Sequence, residues 1–508
     1  MNLSPTTSAA SRRKIALGLA QELSKQWLLD NRLVSSLGDS IDVYDPAREV
    51  IIGTTPNCTS EEVDTAVKSS RAAFKIWSKT EGTDRAKLIA RCADIIDDNA
   101  TDLATILALE TGKAHRTECI GEVKLVADIF RYFSNFGMEL KGRTTPFSNT
   151  VLAMTTREPI GVVAGIVPWN MPLMFLGYKV AAPLIAGNAV VLKVPEIAPF
   201  TVLKVLSLIA GLFPKGLLNA VVGYGNNTGQ QLIEHPDICK VSFTGSVESG
   251  RTVYQAAAKN LKQVNLELGG KSPMLVLPDC DLETAVEGAV SGIRFTRQAQ
   301  SCTSSTRTYV PREMLEDFVE GVKATAAKLV IGDPLDDATD TGAIVSHLQR
   351  SRIQRFIDTA REQDGLTATV VGELPESDGL ENGAFMRPHL FVNPPHDSEI
   401  VQKEIFGPVM CIFSYDSLDE LVQRANDVEY GLSASIWGKD ISNCLRISRQ
   451  MEVGFAQINQ NAVMLPGLSY AGTKSSGFGS ESSLESMITS FTREKTTIIN
   501  IGDHLNED

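Results

Sequence analysis

From Gly161 to Pro278 the chain repeats one pattern: a short run rich in β-branched residues, a turn, then a longer stretch with helical spacing. GVVAGIVPW (161–169) leads into MPLMFLGYKVAAPLIAG, and NAVVLKVP (188–195) into FTVLKVLSLIAGL (200–212). LLNAVVG (217–223) follows, then CKVSFTGS (239–246) with the helical VESGRTVYQAAAKN. QVNLELGGKSPMLVLP (263–278) carries a fifth run and a sixth. Short apolar strands that alternate with helices imply a parallel, doubly wound α/β sheet. A second series follows: a helix over 281–299, STRTYVP (305–311), a helix over 313–329, strands near 368–371 and 384–392, PVMCIFSY (408–415) and a helix over 417–427.

Upstream, SIDVYDPAREVIIGTTP (40–56) alternates like a hairpin. Residues 60–78 read as a helix capped by Ser60, and 82–98 and 101–110 as two more. In the first of these two, Leu88, Ile89, Cys92, Ile95 and Ile96 form the inward face. The last segment, SFTREKTTIINIG (490–502), alternates with no later strand to pair with. It is expected to pair across a subunit interface, giving a dimer or tetramer.

The chain's 508 residues suffice for about three domains. Its net charge of −13, from 48 basic and 61 acidic side chains, argues against nucleic acid as a partner. Eight scattered cysteines, with no C-x-x-C pair, argue against a zinc site and fit free thiols in the cytoplasm. Residues 1–21 are basic and acid-free, but their apolar run, IALGLA, is too short for a secretory signal. They read as a disordered tail leading into a short helix. Residues 160–178 are uncharged, yet Pro168, Asn170 and Pro172 would break a membrane helix.

The strand ends carry the chemistry. Asn170, after IVPW, offers an amide that can hold an oxyanion, or can simply cap the next helix. Lys193 and Glu196 can bond ribose hydroxyls, and Glu196 would repel a 2′-phosphate; an exposed ion pair is the plainer alternative. FTGSVESG (243–250) turns into a helix start that suits a phosphate, although G-x-G-x-x-G is absent. Glu267 sits among apolar residues, a setting that raises a carboxyl pKa and suits a general base. Cys302 ends RFTRQAQSC and is either a nucleophile or a small buried residue. A thiol, a base, an amide donor and ribose-binding groups are together the parts for oxidising an aldehyde through a thiohemiacetal and a thioester.

With PWN, FTGS, LELGGKSP, Gln300-Ser301-Cys302 and KEIFGPV (403–409) in this order, the chain resembles the aldehyde dehydrogenase superfamily from about residue 27 to 500. The resemblance implies two doubly wound domains and a small β extension for oligomerisation. It gives a tail over 1–26, an NAD-binding domain over 27–135 and 156–268, a catalytic domain over 269–485, and an extension over 136–155 and 486–508. It implies Cys302 as nucleophile, Glu267 as base, and Asn170 with the Cys302 N–H as oxyanion hole. It assigns Val167, Pro168, Trp169, Lys193, Glu196, Gly225, Gly229, Phe243, Ser246, Leu268, Glu404 and Phe406 to the cofactor, NAD in preference to NADP. Lys179 and Glu481 match proton-relay positions. Met171, Met174, Phe175, Tyr178, Thr296, Arg297, Ser301 and the loop 460–469 are expected to meet a medium-sized aldehyde, aromatic or a semialdehyde. Arg297 could bind a distal carboxylate, but a surface ion pair is favoured for it. No metal, nucleic acid or membrane is expected. Transfer of the acyl group to coenzyme A, or a binding protein on the same fold, are the alternatives; Glu267 argues for hydrolysis. Three positions depart from the family pattern: Ala299 stands where Gly is usual, SYAGTK (469–474) replaces Pro-Phe-Gly-Gly-x-Lys, and Ser480 replaces an Arg.

Overall fold

The computed structural model describes residues 8–461 and 463–502. Its first sheet has a parallel centre in the spatial order Leu218–Val222, Ala189–Val194, Val162–Ile166, Ile238–Thr244, Gln263–Glu267. Helices cover both faces, so the three strands that come first in the chain are buried along their whole length. The strand order reverses at Val162–Ile166. A reversal of this kind opens a crevice beyond the carboxyl ends of the strands.

The second sheet runs Thr369–Val370, His389–Val392, Val409–Tyr415, Arg307–Pro311, Pro273–Val276, Ser433–Trp437, Phe455–Ile458, parallel except at Thr369–Val370. The two runs in 263–278 therefore belong to different sheets, although the strand–helix pattern by itself ran them on in one series. Gly269 and Gly270 lie in the crossing between them, so Glu267 ends one sheet where the other begins. The antiparallel strand Gly477–Phe478 pairs with Gln263–Glu267 and returns the C-terminal loop to this junction.

The short helix expected after the N-terminal tail is Ala9–Leu23, capped by Ser8. Its two arginines are ion-paired. Arg12 forks onto Asp337 at 2.8 and 3.0 Å, and Arg13 bonds Asp45 and Asp333. The helix Ser60–Trp77 is capped by Thr59, not Ser60, in a reciprocal box with Glu62. The final strand, Thr492–Asn500, pairs within its own chain with Val151–Pro159 over its whole length. The local pattern did not mark that earlier partner, because Val151–Pro159 is half exposed and mixed in polarity, although the family resemblance had grouped 136–155 with 486–508.

The helix His347–Gln363 also escaped the sequence reading. It is mostly polar and buries only Ile353, Phe356, Ile357 and Ala360. The uncharged stretch 160–178 divides into the strand Val162–Ile166 and the helix Pro172–Ile185. Among the described residues no helix is long and apolar enough to cross a membrane.

Candidate active site

The crevice beyond the first sheet is a cavity of about 480 Å³. Val167, Pro168, Trp169, Lys193, Glu196, Gly225, Gly229, Phe243 and Ser246 line it, all of them expected there. Lys193 and Glu196 are 2.5 Å apart, but Lys193 is only 5% exposed, so this is not a solvated surface pair. Burial of an ammonium is tolerable only with such a partner. Ser246 caps the helix Val247–Ala258 by accepting the Ser249 N–H, which leaves the first turn facing the cavity. That end carries partial positive charge and unpaired N–H groups, which suit a phosphate. A buried cation, a carboxylate for hydroxyl groups and a helix start together fit a dinucleotide.

The crevice continues into a narrower cavity that shares Pro168, Trp169, Thr244, Gly245 and Ser246 with it and adds Leu268, Cys302, Glu404 and Phe406. The Trp169 and Phe406 rings meet edge to face at 5.3 Å. Glu404 accepts the Gly270 N–H at 2.9 Å, and burial pushes its carboxyl up to about 7. A Cβ on Gly269 would lie 2.3 Å from Glu404 Oε2, so a larger residue there would push that carboxylate from its place. Gln349 and Arg352, from the overlooked helix, line the same cavity.

On its far side Cys302 opens onto a third, smaller cavity of about 90 Å³. Asn170 and Phe175 also border both of these spaces. Cys302 Sγ lies 3.5 Å from Tyr470 Oη. Burial pushes the thiol up to about 11, the Tyr470 hydrogen bond pulls it down, Glu404 and Glu267 raise it, and Arg294 lowers it. Asn170 Nδ2 donates to the Gln300 carbonyl at 3.1 Å. That nitrogen carries a second proton, and the Asn170 carbonyl is tied down by Lys113 Nζ at 2.8 Å.

Glu267 is 6% exposed, and neither carboxyl oxygen has a hydrogen-bond partner. Burial, then the charge of Glu481, raise it well above the usual 4.5, against the pull of Lys179. It lies behind the cavity walls, next to Leu268, rather than in them. Lys179 is fully buried and donates to Ser242 Oγ at 2.6 Å and to Glu481 Oε2 at 3.3 Å. The structure thus groups Glu267, Lys179 and Glu481 in one buried set.

The expected substrate wall is only partly assembled. Met171, Met174, Phe175, Arg297 and Ser301 line the small cavity. Thr296 and Tyr178 do not. Thr296 Oγ1 donates to Glu118 Oε1 at 2.6 Å, and the Tyr178 ring is buried against Phe133. Arg297 is not on the surface; it is buried, with Nε donating to Glu118 Oε2 at 2.7 Å. Leu125, Arg294, Thr303 and Met464 join the wall, and only Met464 lies in the expected loop 460–469. Ala462 of that loop is outside the described residues. Nothing local marks Glu118, and SYAGTK marks Tyr470 only as a departure from the family pattern, because their partners lie more than 160 residues away.

The loop before Cys302 holds Gln298 and Ala299 in the left-handed region, both at φ +52°. This explains why glycine is usual at 299; alanine there costs ~1–2 kcal/mol. Hydrogen bonds from Gln298 to Gly112 (3.0 Å) and from Val345 to Gln300 (3.1 Å) hold the loop in place. No group of residues that could hold a metal occurs among the described residues.

The sequence model of the aldehyde dehydrogenase family matches residues 33–497. The chain belongs to this family. It is therefore an oxidoreductase acting on aldehydes, with the family's α/β fold. An aldehyde dehydrogenase of Bacillus cereus, solved as its NAD⁺ complex, is 31% identical, covers 99% of this chain and 100% of its own, and superposes with a TM-score of 0.92. Betaine aldehyde dehydrogenase of Staphylococcus aureus, also in complex with NAD⁺, is 30% identical over 98% of this dehydrogenase and 99% of its own chain, with a TM-score of 0.93. The enzyme PnpE, in complex with nicotinamide adenine dinucleotide, is 34% identical over 94% and 98%, with a TM-score of 0.91.

Proposed function

We propose that this dehydrogenase oxidises a medium-sized aldehyde to the carboxylic acid through a thioester on Cys302. The observation that carries this reading is the position of Cys302 on the walls of two cavities, the narrow end of the nucleotide crevice and a small apolar pocket. A thiol there reaches an aldehyde on one side and a hydride acceptor on the other.

Lys193 and Glu196 hold the adenosine ribose, the helix start at Ser246 the pyrophosphate, and Glu404 and Phe406 the nicotinamide end. NAD bound in this way supplies the hydride acceptor. The Glu196 carboxylate accepts ribose hydroxyls and repels a 2′-phosphate, so NAD is preferred over NADP. The Cys302 thiolate attacks the aldehyde carbon. The second Asn170 amide proton and the Cys302 N–H donate to the oxyanion that forms, and collapse of that oxyanion expels the hydride. Glu267, kept basic enough by burial, takes a proton from water; the resulting hydroxide attacks the thioester and Cys302 leaves as thiolate. Lys179 and Glu481 pass that proton on.

The pocket wall of Leu125, Met171, Met174, Phe175 and Met464 suits an apolar aldehyde body, aromatic rings included. A semialdehyde is the second reading. Arg294 on the pocket wall favours it, as a cation beside the bound aldehyde. We also infer a homodimer or homotetramer built on the sheet of Arg143–Ser148, Val151–Pro159 and Thr492–Asn500, where Ile498 is 70% exposed on an edge strand. All eight cysteines are free thiols, which supports a cytoplasmic setting.

The test is NADH formation from NAD⁺ across a panel of aliphatic, aromatic and carboxylate-bearing aldehydes. Cys302→Ala is expected to lower kcat by about 10⁴-fold or more. Equal steady rates for the two proteins would overturn the mechanism. Turnover that requires coenzyme A and releases an acyl-coenzyme A thioester in place of the free acid would move the enzyme to the acylating alternative.

A further inference from the structure

We propose that Tyr470 donates a hydrogen bond to the Cys302 sulfur, favouring its thiolate and fixing where that thiolate rests. The inference rests on Cys302 being the nucleophile. Oη and Sγ are 3.5 Å apart, within reach for a sulfur acceptor. With the thiol, either atom can donate; with the thiolate, only the phenol can.

Three observations turn this contact into a built feature. Tyr470 is 6% exposed, and its ring packs edge-on against Phe455 at 5.6 Å, so the hydroxyl is held in one place. Tyr470 lines neither of the cavities that Cys302 faces, so it reaches the sulfur from the protein side and leaves the attacking side open. Burial and the nearby Cys302 and Glu267 charges hold the phenol well above its usual range, so it remains a donor wherever the enzyme works. The hydroxyl is also what SYAGTK adds where the family pattern has Phe.

The need for the donor is set by the surroundings. Glu404 and Glu267 face the sulfur and disfavour a second negative charge, while Arg294 favours it. Arg297 lines the same pocket, but Glu118 offsets its charge. A buried thiol among two carboxyls is a poor nucleophile unless something stabilises the charged form more than the neutral one. A neutral donor to a charged sulfur does this, because the bond strengthens on ionisation.

Tyr470→Phe removes one oxygen and keeps the ring contact with Phe455, so the fold is preserved. The measurement is the rate of Cys302 alkylation by iodoacetamide between pH 6 and pH 10 on the NAD-loaded enzyme, read by mass of the Cys302 peptide. The pH profile of kcat/KM for one good aldehyde is recorded beside it. In the variant the alkylation profile is expected to move up by about one pH unit, with alkylation and kcat/KM about tenfold slower near pH 7. A matching shift in both, with Tm unchanged, supports the inference. Superimposable profiles for the two proteins overturn it. If full alkylation of Cys302 leaves dehydrogenase activity intact, the nucleophile assignment itself fails, whatever Tyr470 does.

Discussion

The crevice beyond the first sheet and the small pocket on the far side of Cys302 are built in opposite ways. In the crevice, the polar groups sit at the ends of neighbouring parallel strands. Lys193 comes from Ala189–Val194, Thr244 and Ser246 from the end of Ile238–Thr244, and Trp169 follows Val162–Ile166. Each belongs to a short motif, because one strand and its turn place it. The pocket draws instead on the helix of Leu125, the helix of Met171 and Phe175, the strained loop 294–303 and Met464. Its charges are buried and pair with one another, as Arg297 does with Glu118. A crevice at strand ends is a property of the sheet; a pocket between units is a property of how the units pack.

If that contrast is right, changes on the two sides of Cys302 separate kinetically. The largest effect is expected at Glu267, which serves neither wall but the chemistry between them. Glu267→Gln should slow steady turnover by about 10²–10⁴-fold while leaving a first-turnover burst of NADH. The same variant should melt higher at pH 8. The folded-state pKa of Glu267 is raised above the usual 4.5, so the unfolded chain ionises first and stability falls as pH rises above that value. The gain from Gln should therefore shrink toward pH 5. A melting gain independent of pH would mean that Glu267 ionises as easily folded as unfolded.

Next comes the pocket. Glu118→Gln leaves Arg297 buried without its counter-charge and should cost about 3–5 kcal/mol in unfolding free energy. It should also raise the KM for aldehyde and leave the KM for NAD unchanged. An equal rise in both would show that the two regions are not independent.

The smallest effect is expected in the crevice, where Glu196 is a quarter exposed. Glu196→Gln should reduce the preference for NAD over NADP by about 10–100-fold, read as the ratio of kcat/KM values. The KM for aldehyde is the control, and should not move.

The same contrast decides what could be read in advance. Cys302, Glu267, Asn170 and the crevice residues were named through the family resemblance, since the local pattern of each segment left a plainer alternative open. Ala299 was visible only as a departure; its φ of +52° supplies the reason that glycine is usual there. Thr296, Tyr178 and Arg297 were misjudged in part, because neighbourhood to Cys302 or to PWN says nothing of which side chain Glu118 or Phe133 will take up. Tyr470 too was visible only as a departure, within SYAGTK, and nothing local tied it to Cys302.

The amino-acid sequence by itself determined the alternation of strands and helices, hence the parallel sheets, and the chemical groups delivered at their ends. These are set by periodicity and turn residues, which act over a few positions. The tertiary structure alone decided the register in which Thr492–Asn500 pairs with Val151–Pro159, and that Tyr470 reaches Cys302 across 168 residues. Those contacts arise from the packing of whole units, and no local pattern encodes them.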